Sequence, residues 1–279
     1  MLEQRVQDHY AAAGSGEAIA ARIIAALRAH AGADVAITPD TLAPLDHFHG
    51  RGVLATQEMV ALLEPLPGEA ILDIGSGIGG PARWIAAKYH CTVTGVDLTP
   101  EFCDAARALN AACGLSDRVR ILQGSALALP VPDAVFDRAY SHNVVMNIAD
   151  KAGVYREAFR VLKPGGRLVL CHVNAGPNGL PQFPVPWAAA AENSFLATDD
   201  ETRHDLIAAG FEILTFHDTT PAILPAMPAA RRKLEAEGLP PLGIHVLAGE
   251  RFLERQLNSM RAQEDGKIRA VEIVASKPA

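Results

Sequence analysis

The chain has 279 residues and a formal net charge of −7, with 49% hydrophobic and 20% charged residues. That balance predicts a packed core, excludes extended disorder, and argues against a nucleic-acid partner, which needs a basic face. No stretch is apolar enough to span a bilayer, residues 1–6 are charged where a signal peptide is apolar, and Cys91, Cys103, Cys113 and Cys171 form no C-x-x-C pair; a reduced, cytoplasmic protein is expected.

In chain order, Ala20, Ile23, Ile24 and Leu27 share one face of a surface helix expected over 17–30. Residues 31–46, with Gly32, Pro39 and Pro44, read as loop. A second helix is expected over 56–66, stopping at Pro67-Gly68. The rhythm then changes. Strands are expected at 70–74, 91–98, 118–123, 136–141 and 167–173, separated by helices at 81–89, 100–113 and 150–162. Pro81 sits in a first helical turn, Thr99 reads as an N-cap and Gly114 as a stop. Lys163-Pro164-Gly165-Gly166 closes the third of these helices.

This alternation predicts an α/β fold: a doubly wound, Rossmann-like parallel sheet covered on both faces. After Val173 the pattern loosens. Residues 175–198 hold four prolines and Trp187 and read as a long functional loop. A helix over 199–209, a strand over 211–216, a mostly helical stretch at 221–266 and a last strand over 268–275 follow.

Gly75, Gly77 and Gly80 fit G-x-G-x-x-G between the first strand and its helix, and Asp97 ends the second strand. Glycines let the backbone approach a ligand, and the acidic strand end accepts hydrogen bonds from ribose hydroxyls. Both NAD and S-adenosylmethionine (SAM) satisfy this much. Asp73, inside the first strand, favours SAM. A pyrophosphate-binding loop usually has an apolar residue there, whereas SAM carries an ammonium that an acidic group suits. Gly79 adds a further glycine to the loop.

The stretch from Asp46 to Ser276 resembles the class I SAM-dependent methyltransferases. The matching pieces are the run Ile71 to Gly80, then Gly95 to Leu98, Gln123 to Leu127, Phe136 to Ser141 and Leu162 to Gly166. The resemblance implies a seven-stranded sheet whose last strand is antiparallel. It implies an N-terminal helical lid at 1–50, a SAM-binding core at 51–220, a helical cap insertion at 221–266 and a last core strand at 267–279. It implies that the loop containing Gly75, Ser76, Gly77 and Gly79 holds the methionine part of SAM, with Asp73 nearby. Asp97 binds the ribose, Leu98 lies against the adenine, Ser125 and Ala126 flank the adenine edge, and Ser141 presents its backbone near the ammonium. Many relatives have Asp at the position of Ser125, and a serine accepts without charge assistance. The lead-in Asp46-His47-Phe48-His49-Gly50-Arg51-Gly52, followed by Ala55-Thr56, resembles sarcosine/dimethylglycine-type N-methyltransferases, and ubiquinone-type C-methyltransferases more distantly.

Methyl transfer from a sulfonium needs alignment above all, and a base only when the nucleophile arrives protonated. His142, at the end of the fourth strand, is the candidate base or hydrogen-bonding group. Asn143, Met146 and Asn147 follow it towards the acceptor. His49 belongs to a segment expected to fold over the pocket, with Arg51 near the SAM carboxylate. Trp187 is a candidate wall of the acceptor pocket and His245 a candidate contact from the cap. His172 reads as structural. His47 and His49 form an H-x-H pair with no further ligand spacing, so no metal is expected. The expected activity is methyl transfer from SAM, leaving S-adenosylhomocysteine, to a small molecule, with an amine nitrogen first. Oxygen, carbon or sulfur of a phenol, quinol or thiol is the alternative. An NAD(P)-dependent oxidoreductase and a non-catalytic SAM-binding module are more distant alternatives. The partners expected are a small-molecule acceptor, no membrane and, as an open question of assembly, a second copy in a homodimer.

Overall fold

The structure is a computed structural model that describes residues 3, 15–47, 49, 51–248 and 251–279. Helix α1 (Gly16–Ala31) starts where Ser15 accepts from the Ala18 N–H, and it buries Ile19, Ile23 and Leu27. Helix α2 (Pro39–Asp46) corrects the loop expected over 31–46. Thr38 and Thr41 cap each other's backbone reciprocally and Pro39 occupies the first turn, where its missing N–H is harmless. The two prolines had pointed to a loop. Helix α3 (Val53–Leu63) begins three residues before the expected start.

The core alternates β1 (Ala70–Ile74), α4 (Gly80–Tyr89), β2 (Thr92–Asp97), α5 (Pro100–Ala112), β3 (Val119–Gln123), β4 (Phe136–His142), α6 (Lys151–Val161) and β5 (Leu162–Ala175). Helix α7 (Asp199–Ala208) and β6 (Glu212–Asp218) follow. The cap is one helical turn at Thr220–Ile223, α8 (Met227–Glu237), a turn at His245–Ala248 and α9 (Phe252–Glu264); β7 (Ile268–Ser276) closes the chain. Arg231–Glu264 and Arg261–Glu235 ion pairs at 3.0 and 2.8 Å tie α8 to α9.

The seven strands run β3-β2-β1-β4-β5-β7-β6. The first five pair in parallel, and β7 is antiparallel to both β5 and β6. Alternating residues face opposite sides. Ile71, Val93, Ile121, Tyr140 and Val169 pack under α3, α4 and α5, while Leu72, Val96, Ala139 and Leu168 pack under α6 and α7. Helix α1 lies on α5 and α2 on α4, and Ile19, Ile23, Leu42 and Leu45 join Phe102 and Leu109 in one apolar cluster.

The Lys163-Pro164-Gly165-Gly166 turn differs from its reading as a helix stop alone. It lies within β5, as an irregularity between the Phe136–Leu162 and Arg138–Arg167 pairs, and the Gly165 N–H donates to the Lys277 carbonyl. Strand order reverses at β1, flanked by β2 and β4, and this opens a crevice at the carboxyl ends of those strands. No helix among the described residues is long and apolar enough to cross a membrane.

Candidate active site

A cavity of about 1090 Å³ fills that crevice and continues beneath the cap. This exceeds the range of roughly 300–1,000 Å³ usual for one small ligand, and it has room for two side by side.

One end is built by backbone. Gly75 has φ +80°, and a Cβ there would stand 2.3 Å from Val144 Cγ2. The turn can be made only without a side chain, which leaves a cradle of main chain. Asp97 accepts from the Gly77 N–H at 2.7 Å and the Thr99 N–H at 2.9 Å, so one carboxylate ties the glycine loop to the start of α5. Burial pushes the Asp97 carboxyl up while these backbone bonds pull it down. Burial raises Asp73 further, to about 7, opposed by the Tyr140 hydroxyl, which donates to Asp73 at 2.7 Å. The Ser76 hydroxyl is buried and has no protein partner among the described residues.

Asp73, Gly75, Ser76, Gly77, Asp97, Leu98, Ser125 and Ala126 all line this end. Ser125 accepts from the Leu127 N–H at 3.0 Å and bonds the Glu3 carboxylate. Gly79 and Ser141 do not reach the wall: Gly79 is the N-cap of α4, and the Ser141 hydroxyl donates to the Ile74 carbonyl at 2.9 Å.

The middle of the cavity is a cluster of imidazoles. His49 and His142 lie flat against each other. Thr56 Oγ1 is 2.8 Å from His49 Nε2 and 2.7 Å from His47 Nδ1. His47 is buried beside Asp46, whose carboxylate accepts from Arg83 at 2.8 Å. Burial, then the neighbours His47 and Arg51, lowers His142 to about 3. Burial and His142 hold His49 well below the ordinary imidazole value. Both rings are therefore neutral at physiological pH. Arg51 lines the cavity but is engaged by Glu58, with Nη1 donating to Oε1 at 2.8 Å.

The far end lies under the cap. Met146, Asn147, Asn143 and Trp187 line it, in different ways. Asn147 donates to the Trp187 carbonyl at 2.6 Å and Trp187 donates to Ser194 at 2.9 Å, so this pair anchors the 175–198 loop. Asn143 adopts φ +57° and its N–H donates to the Cys171 carbonyl. His245 does not reach the wall and stands beside Phe252 instead, while Ile244 and Leu247 line the cavity. His172 lies on the wall, lowered to about 4 by burial and Lys151. Among the described residues no His, Cys, Asp or Glu cluster is placed to hold a metal.

Sequence reasoning missed three groups. Thr56 joins two histidines that the spacing does not connect. Glu272, on β7, faces the cavity, and no described side chain forms an ion pair with it; burial, then Glu58, pushes its carboxyl up. A lone acidic residue inside an apolar strand was its available signal. Arg255 lines the cavity with its Nε buried and without a partner among the described residues. Positions 252, 255, 256, 259, 260 and 263 of α9 all face inward, at helical spacing that is readable in the sequence.

A methyltransferase-domain family model matches residues 72–170. The chain is similar to the sarcosine/dimethylglycine N-methyltransferase of Halorhodospira halochloris, 30% identical over 198 residues, or 70% of this chain and 68% of that protein. It is also similar to 24-methylenesterol C-methyltransferase 2 of Oryza sativa subsp. japonica, 43% identical over 108 residues; there it spans 39% of this chain and only 30% of the relative's length. Among solved structures, geranyl diphosphate C-methyltransferase from Streptomyces coelicolor, in complex with S-adenosylhomocysteine, has the same fold: TM-score 0.65, 21% identity, 81% of this chain and 76% of that chain. Fold, loop and relatives agree, and the chain belongs to the class I SAM-dependent methyltransferases acting on small molecules.

Proposed function

We propose that this methyltransferase acts on the nitrogen of a small amine with an apolar body. The observation that carries the reading is Glu272. Its carboxylate faces the acceptor end of the cavity without an ion-pair partner among the described residues, and an ammonium supplies one. The likeness to a sarcosine/dimethylglycine N-methyltransferase supports the same choice. Arg255, its Nε lacking a partner, would suit an anionic group elsewhere on the acceptor.

In this reading the cradle at Gly75 to Gly77 holds the methionine part of SAM. Asp73 faces its ammonium, Asp97 takes the ribose hydroxyls, and Leu98, Ser125 and Ala126 border the adenine. Bound there, SAM supplies an electrophilic methyl group on a sulfonium. The chain's contribution is to desolvate and align the acceptor under the cap, a proximity effect worth up to about 7–11 kcal/mol.

A second reading is a carbon or oxygen acceptor with a larger apolar body. Ala222, Ile223, Met227 and Ala230 wall the chamber with aliphatic surface, and the sterol relative fits such a substrate. S-adenosylhomocysteine release, measured against glycine derivatives, longer amino acids, phenols, quinols and thiols, separates the two. Turnover of an amine is expected; turnover confined to phenols, quinols or thiols would overturn the nitrogen assignment.

A further inference from the structure

We infer that Asp46, His47 and Thr56 set the tautomer of His49, so that its Nδ1 lone pair accepts the hydrogen of the incoming nucleophile and orients it. The inference rests on the amine reading for its substrate, but the tautomer itself can be read without one.

Thr56 Oγ1 lies 2.7 Å from His47 Nδ1 and 2.8 Å from His49 Nε2, yet a hydroxyl has one hydrogen and donates to only one ring. Which ring receives it is decided further back. Asp46 Oδ2 accepts from Arg83 at 2.8 Å, and that guanidinium also donates to Asn110 at 2.9 Å. Both side chains are buried and form an ion pair. The remaining oxygen, Oδ1, faces His47 Nε2 at 3.6 Å. That is long for a hydrogen bond, but a lone pair aimed at a buried carboxylate is repelled and an N–H is attracted. His47 therefore carries its hydrogen on Nε2 and accepts at Nδ1.

The rest follows link by link. Thr56 donates to His47. His49 Nε2 must then donate to Thr56, and a neutral His49 is left with a bare Nδ1. Among the described residues no hydrogen bond is made to that nitrogen, and His49 lines the cavity between the glycine loop and the cap. Its ring is clamped against His142, so the lone pair has a fixed direction.

An acceptor N–H bound there has its own lone pair turned away from His49. When that pair forms the new N–C bond, the pair of the broken C–S bond stays on sulfur, and the hydrogen remains on the ammonium produced. His49 touches the nucleophile and is catalytic in that sense. Thr56, His47 and Asp46 act through it and are positioning residues. A tertiary amine has no hydrogen to offer, so its methylation bypasses the device.

The tautomers are tested by nitrogen-15 NMR of the ligand-free protein. Wild type is expected to show Nε2–H for both His47 and His49. Thr56→Val should release His49 into a mixture, and Thr56→Ser should retain the wild-type pattern. In kinetics, Thr56→Val is expected to lower kcat/KM for a secondary amine at least tenfold more than for the matching tertiary amine, with SAM affinity unchanged and Thr56→Ser restoring the rate. An Nδ1–H tautomer for His49 in wild type would overturn the inference. So would an equal loss on secondary and tertiary amines, which marks Thr56 as merely structural. If no amine were turned over while the tautomers held, the amine reading alone would fall.

Discussion

His49 and His142 stack with ring centroids 3.8 Å apart and planes 9° from parallel. Two imidazolium ions cannot share that contact, and burial already holds His142 at about 3. A depressed histidine means that the unfolded chain binds more protons than the native one between about pH 3 and pH 6.5. The stabilisation is complete above 6.5 and is lost as pH falls through that window. At pH 4.5 the loss from His142 is about 2–3 kcal/mol. His142→Asn removes this titration. Between pH 7 and 4.5 its unfolding free energy in urea should fall by that much less than the wild type's, and equal falls would contradict the assignment.

Asp73 has the opposite sign. Raised to about 7, its carboxyl is protonated in the native state across a range where the unfolded chain has lost the proton, so its contribution to stability declines as pH rises from 3.8 to 7. Ionisation is required to face an ammonium. SAM affinity should therefore rise from pH 5.5 to 7 and level off above, with proton release visible when calorimetry is repeated in buffers of different ionisation heat. Asp73→Asn should bind more weakly and without that pH dependence. Tyr140→Phe removes a hydrogen bond to the anion and should shift the rise upward by about one pH unit. An Asp73→Asn variant that kept the wild-type profile would place the ammonium elsewhere.

The parts of the fold that obey a strict period were legible in the sequence. β1 reads as buried because both its neighbours are strands, and Thr99 and Gly114 do mark the ends of α5. Helix α2 was not legible, because Pro39 and Pro44 suggest a loop until Thr38 and Thr41 are seen capping each other. The glycine-loop end of the cavity was legible because its lining is written in one contiguous loop and one strand end. The acceptor end was not. Glu272 reaches the cavity only because β7 inserts antiparallel beside β5, opposite Cys171, a pairing across 101 residues of chain. The link from His47 to His49 through Thr56 depends on the fold of the lead-in onto α3, which periodicity does not encode.

Asp97 does two things at once, and substitution can separate them. Its Oδ2 holds the Gly77 N–H and its Oδ1 the Thr99 N–H. Asp97→Ala frees the loop and removes the carboxylate proposed to take the ribose hydroxyls. Charge-assisted hydrogen bonds of this kind are worth roughly 1.5–3 kcal/mol each, so SAM affinity should fall at least tenfold in calorimetry. Asp97→Asn keeps an acceptor for one of the two N–H groups. It should lose roughly 1.5–3 kcal/mol of stability, less than Asp97→Ala loses, and bind SAM more weakly. Unchanged SAM affinity in either variant would refute the ribose assignment.

Gly75→Ala tests the cradle itself. The added Cβ would stand 2.3 Å from Val144 Cγ2, on a backbone at φ +80°. Two penalties are therefore combined: a clash, and a left-handed conformation that costs an L-residue roughly 1–2 kcal/mol. Gly75→Ala alone should lower stability by about 2–4 kcal/mol and weaken SAM binding strongly, because either the loop or Val144 must move. Val144→Ala, combined with it, removes the methyl groups that clash but leaves the backbone penalty. The double variant should recover part of the stability in urea denaturation, with a coupling energy of about 1–2 kcal/mol between the two positions. Additive losses would mean that Val144 does not pack over the loop, and that the turn at Gly75 is demanded by backbone conformation alone.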